Sequence, residues 1–167
     1  MQSLKKLVTI AAPVVALTIF AAPARAQAAF AASHPTAAPA RVRIDDAQQL
    51  ATEGKFRAAE KAFRSLAREQ RESGAYPAAA LRGLANALYA QGETRRAAGA
   101  LDELSTAAAE FGDPETQIVA MLDASLLYQQ VGDKAEVASR IPRITTLLKS
   151  PVIGAATRDL VTARLEK

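Results

Sequence analysis

Cysteine is absent from the 167 residues, and its absence excludes disulfides, thiol catalysis, covalent haem attachment and cysteine-based zinc sites together. It also excludes a lipid-modified cysteine of the bacterial lipoprotein kind. Histidine is nearly absent too: His34 is the single one. It sits ahead of the helical part of the chain, where no histidine–carboxylate pair is then available for a metal site or a general base. Strand signals are missing as well, with no sustained apolar–polar alternation and no clusters of β-branched residues between turns. A phosphate-binding glycine loop needs a strand before it, so that class is excluded with them. Asp45, Asp46, Glu60, Asp102 and Glu103 read as solvated helix faces rather than as acid/base pairs. The expectation is a protein that is not an enzyme and carries no cofactor and no metal.

Acidic residues are missing from the N-terminus, which has a character of its own. Lys5 and Lys6 precede an uncharged apolar run from Leu7 to Ala22, and Ala24 and Ala26 flank Arg25. These are the basic, apolar and small-residue regions of a secretory signal peptide. Cleavage is expected between Ala26 and Gln27, giving a signal at 1–26 and a periplasmic or secreted product without a stable membrane anchor. The competing reading is an uncleaved anchor, since the run approaches the roughly 20 residues that span a bilayer; Pro13, Pro23 and the small-residue site oppose it. Removing Lys5, Lys6 and Arg25 leaves 18 basic residues against 17 acidic ones, so the formal charge of +4 falls to +1. The basic balance is therefore no argument for nucleic acid, and no basic stripe interleaved with aromatics supplies one.

Residues 27–40 are rich in alanine, with Pro35 and Pro39 and no charge, and read as a flexible leader. From 41 to 167 Ala, Leu, Glu, Arg and Gln dominate, with apolar residues three and four apart, which predicts an all-α domain. Seven helices are expected at 43–53, 55–72, 77–91, 93–111, 114–131, 133–149 and 151–166. Gly54, Gly92 and Gly132 mark short turns just past helix ends. Longer breaks fall at 73–77, 112–114 and 150–151. In the last two, Asp113 and Ser150 are expected to cap helices that begin on Pro114 and Pro151. Pro142 is expected to kink or split the sixth helix near Arg140 and Ile141.

The three turn glycines are spaced by 38 and 40 residues, a period typical of helical repeats. Ala47 and Ala85 lie seven residues before their glycines, Leu50 and Leu88 four before, Ala59 and Ala97 five after, and Phe63 and Leu101 nine after. A third unit offers Ser125, Tyr128, Val137 and Ile141 at the same places. Small residues at paired positions let two antiparallel helices approach, and Phe63, Leu101 and Ile141 are expected to reach the next hairpin. An ordinary helical bundle with accidental glycine spacing is the alternative.

This pattern, best in Ala47–Phe63 and next in Ala85–Leu101, resembles the tetratricopeptide repeat over about residues 41–149. It departs from the family in its longer period, in the missing unit-closing proline and in Pro142. The resemblance implies about three helical hairpins and a C-terminal capping helix in a short α-superhelix, whose concave face binds a peptide or protein segment. By register the face-lining candidates are Gln48, then Arg82, Asn86 and Tyr89, then Leu126, Gln129 and Gln130. Arg82 and Asn86, one turn apart, have the donors to hold a carboxylate, against the plainer reading of solvated polar positions. Self-association is a further possibility for so small an array, and the rival function is a bundle binding a small apolar ligand or lipid between its helices.

Overall fold

Apolar residues recurring three and four apart place the whole described chain in helices. The computed structural model describes residues 37–165, with side-chain surroundings from residue 43 onward. Seven helices are present among the described residues, and no strand. They are α1 (Ala37–Thr52), α2 (Phe56–Glu72), α3 (Ala78–Ala90), α4 (Thr94–Glu110), α5 (Pro114–Gln130), α6 (Lys134–Leu148) and α7 (Ala155–Leu165). The expected signal peptide and residues 27–36 of the expected leader lie outside the described residues. No helix among the described residues is long and apolar enough to cross a membrane.

Two boundaries differ from expectation by more than one residue. Residues 37–40, assigned to the leader, form the first turn of α1; Pro39 is tolerated there because the first backbone N–H groups of a helix have no intrahelical acceptor. At the other end, Pro151 does not open α7. Ile153 N–H donates to Ser150 O at 3.2 Å, so Ser150–Ile153 closes a turn, with the proline in its second place, where a fixed φ is favourable. That turn points Ile153 inward, to 2 % exposure, and α7 starts only at Ala155.

The helix ends repeat one device. Gly54, Gly74, Gly92, Gly112 and Gly132 all have φ between +68° and +78°. At α3 the Gly92 N–H donates to Tyr89 O at 2.9 Å and Glu93 N–H to Leu88 O at 3.0 Å, the paired bonds that close a helix on a left-handed residue. Asp113 caps α5 through Oδ1, which accepts from Thr116 N–H at 3.0 Å, and Pro114 takes the first helical position as expected. Asp133 caps α6 in the same way. Pro142 does not split α6, which runs unbroken from Lys134 to Leu148. The bond lost at Pro142 concerns the carbonyl of Ala138, an exposed residue whose oxygen water can reach.

Helices α1 to α6 each pack on the next, α1 also touches α3, and α7 packs on α5. The longer connections meet at one end. Tyr76, before α3, stacks on Phe111, before α5, with ring centroids 4.9 Å apart, and its hydroxyl donates to Asp113 Oδ2 at 3.2 Å. Gly154 N–H, before α7, donates to Glu115 Oε1 at 2.7 Å.

The main core joins α1 to α5. Ala47, Ala59, Ala85 and Ala97, the small paired positions, are each 1 % exposed or less. Phe63 reaches α3: its ring lies over Gly83, where a Cβ would stand 2.5 Å from Cζ. Leu101 is buried as well. Ile141 is the exception, 37 % exposed, and the reason is local. Helix α7 starts late and packs on α5, which leaves that position open among the described residues. Ile144 takes its place in a second core with Ile118, Met121, Leu122, Ile153 and Val161. Arg158 ties this end together by donating to the carbonyls of Leu148, Ser150 and Ile153.

Candidate functional site

The residues assigned to the binding face sit on α1, α3 and α5. On α3, Arg82, Asn86 and Tyr89 follow the spacing of one helical face. Asn86 is exposed, whereas Arg82 and Tyr89 are half-buried, and Tyr89 rests its ring against the main core. On α5, Leu126 is half-buried and Gln129 and Gln130 are exposed. Gln48 is exposed near the end of α1. No side-chain hydrogen bond links Gln48, Asn86, Gln129 or Gln130 to one another or to Arg82 among the described residues, so they stand as separate polar points on three helices.

Arg82 has a neighbour that the spacing alone did not indicate. Asp123 on α5, 13 % exposed at its side chain, accepts from Arg164 Nη1 on α7 at 2.8 Å. Burial raises the Asp123 carboxyl above its ordinary range, while the charges of Arg164 and Arg82 pull it back down. The Arg82 charge thus acts on Asp123, and Arg82 makes no ion pair or hydrogen bond of its own among the described residues. The guanidinium donors have no partner among the described residues, in a field partly neutralised by an acid of α5. Asp123 and Arg164 were outside the sequence-based assignment because they come from helices 41 residues apart. The one signal available was an acid at position 123 in an otherwise apolar stretch of α5.

A second polar cluster lies between α4 and α6. Arg140 Nε and Nη2 donate to the two oxygens of Asp102 at 3.0 and 2.6 Å, and Nη1 donates to Glu136 Oε2 at 2.6 Å. The guanidinium lies 4.4 Å over the Tyr128 ring, a geometry in which the ring face attracts the cation. Tyr128 donates to Asp102 Oδ2 at 3.0 Å, and burial, then the Asp102 carboxylate, pushes its hydroxyl up to about 12. Asp102, read from sequence as a solvated acid, is therefore the acceptor of a cross-helix network.

An open groove of about 420 Å³ runs along α1 and α2, with Ala47, Leu50, Ala62 and Leu66 below and Arg43, Asp46 and Lys61 at its rim. No group of three or more His, Cys, Asp or Glu side chains able to hold a metal occurs among the described residues. No family model, curated protein or solved structure matches the chain.

Proposed function

We propose that this chain is an exported, non-catalytic interaction module that holds an extended peptide or protein segment on the face formed by α1, α3 and α5. The reading takes the helices as three tetratricopeptide-like hairpins, α1–α2, α3–α4 and α5–α6, capped by α7 in a short superhelix. The observation that carries it is the half-buried Arg82, whose donors have no partner among the described residues, one turn from the exposed Asn86 on α3. A segment with an acidic group at that point gains a charge-assisted hydrogen bond, stronger than a neutral one, while Gln48, Gln129 and Gln130 offer amides to its backbone.

The test is selection of peptides from a random displayed library by the purified chain. Selected peptides should bind Arg82→Ala/Asn86→Ala at least tenfold more weakly and should bind Arg57→Ala, changed on α2, unaltered. Absence of enriched peptides, or equal binding to both variants, refutes the assignment.

The groove along α1 and α2 favours a second reading, a small apolar ligand or lipid held between helices. A co-purified ligand seen by native mass spectrometry and lost in Ala62→Asp supports it.

A further inference from the structure

The hairpins contain an internal standard for what packing alone requires. Eight residues past each turn glycine stand Ala62, Ala100 and Arg140; thirteen past the first two stand Ala67 and Ser105. Alanine thus serves between the first two hairpins where the second and third carry a nearly buried arginine and a buried serine. The exchange is costly, because an ion pair withdrawn from water is often no more stabilising than apolar side chains in the same space. Departures from local packing rules concentrate at functional sites.

These side chains border a polar trough of about 330 Å³ between α4 and α6, at the small end of ligand pockets. Its acids are already engaged: both oxygens of Asp102 and Oε2 of Glu136 accept from Arg140. Its vacancies are donors. Arg143, one turn beyond Arg140, is exposed and makes no ion pair or hydrogen bond among the described residues, and the Ser105 hydroxyl, on a residue 7 % exposed, has no partner either. Both line the trough. Two guanidiniums balance two carboxylates there, so an arriving anion meets no net repulsion, and an acceptor-rich ligand is what the open valences require.

We propose that the trough binds a small free oxyanion, its oxygens accepting from the Arg143 guanidinium and the Ser105 hydroxyl. Arg140 serves as a positioning residue, holding Asp102 and Glu136 away from the anion. The site is separate from the face of α1, α3 and α5 and stands or falls independently of it.

The test is amide chemical-shift mapping of the full chain titrated with inorganic phosphate and, separately, acetate, at ionic strength held constant with chloride. Saturable shifts confined to residues 102–106 and 136–143 are expected with at least one probe. Their midpoint should rise at least tenfold in Arg143→Gln and in Ser105→Ala, and stay unchanged in Arg68→Gln on α2. Arg143 is exposed and Ser105→Ala restores the residue type of the first hairpin, so both variants should fold, which circular dichroism checks. Saturation with phosphate alone narrows the ligand to that class. Lack of saturation with either probe, shifts spread over surface arginines as with an adventitious ion only, or an unchanged midpoint in Arg143→Gln overturns the proposal.

Discussion

Gly83→Ala should destabilise the domain, although it replaces glycine by the best helix former inside a helix. The added Cβ would stand 2.5 Å from Phe63 Cζ and 2.7 Å from Cδ1, with Cε1 nearer still, where carbon atoms prefer about 3.5 to 4.0 Å. The ring has little freedom to yield, since Phe63 is 1 % exposed in the main core. Overpacking of this kind costs about 1–3 kcal/mol, against about 0.8–1 kcal/mol gained from helix propensity. The expected net loss is about 1 kcal/mol, or about 3–6 °C in Tm for a domain of this size. Gly99→Ala is the matched control. It lies inside α4, and a Cβ added there would meet nothing within 4 Å, so it should gain about 0.5–1 kcal/mol. Urea unfolding followed by circular dichroism measures both, and Phe63→Leu combined with Gly83→Ala should recover about 1 kcal/mol relative to additivity. Equal stabilisation by the two glycine substitutions would refute the seating of Phe63 on α3.

The two isoleucines of α6 offer a second check: Ile144→Ala should cost about 2–4 kcal/mol and Ile141→Ala less than about 1 kcal/mol, because only Ile144 is buried. Arg140→Ala should cost about 1–3 kcal/mol by stripping Asp102 and Glu136 of their partner, and near-ultraviolet titration should find Tyr128 still ionising above a free tyrosine, since burial is the first cause of its shift. Two carboxylates should give opposite pH trends. Gln91, then Arg64 and Arg96, hold Glu60 below its ordinary 4.5 against the effect of burial, so its contribution is present above pH 4.5 and is lost as pH falls through the lowered value. The Tm gap between wild type and Glu60→Gln should close as the solution is acidified. Burial lifts Asp123 above 3.8, so its ionisation removes stability as pH rises from 3.8 through the raised value; a wild-type advantage over Asp123→Asn that grows with rising pH through that window would contradict this.

Much of the local structure was legible in the chain. Apolar spacing located the seven helices, glycines marked their ends, and Asp113–Pro114 declared a helix start, because each is decided within one or two turns of backbone. The same logic failed where a neighbour decided. Ser150–Pro151 carries a helix-start pattern yet forms a turn, since that turn buries Ile153 in the second core. Ile141 stands nine residues past Gly132, as Phe63 and Leu101 do past Gly54 and Gly92, yet lies open, since α7 packs on α5.

The candidate sites divide along the same line. Periodicity alone put Arg82, Asn86 and Tyr89 on one face of α3, because i, i+4 and i+7 coincide on any helix. That Asp123 binds Arg164, and that Arg140 gathers Asp102, Glu136 and Tyr128, are facts of packing. Those partners are up to 41 residues apart in sequence, and a charge acquires its meaning from the groups folding places beside it. Sequence by itself determined where this chain is helical and how the helices end; only the tertiary structure decided which polar side chains are satisfied and which, like Arg82, Ser105 and Arg143, keep donors without a partner among the described residues.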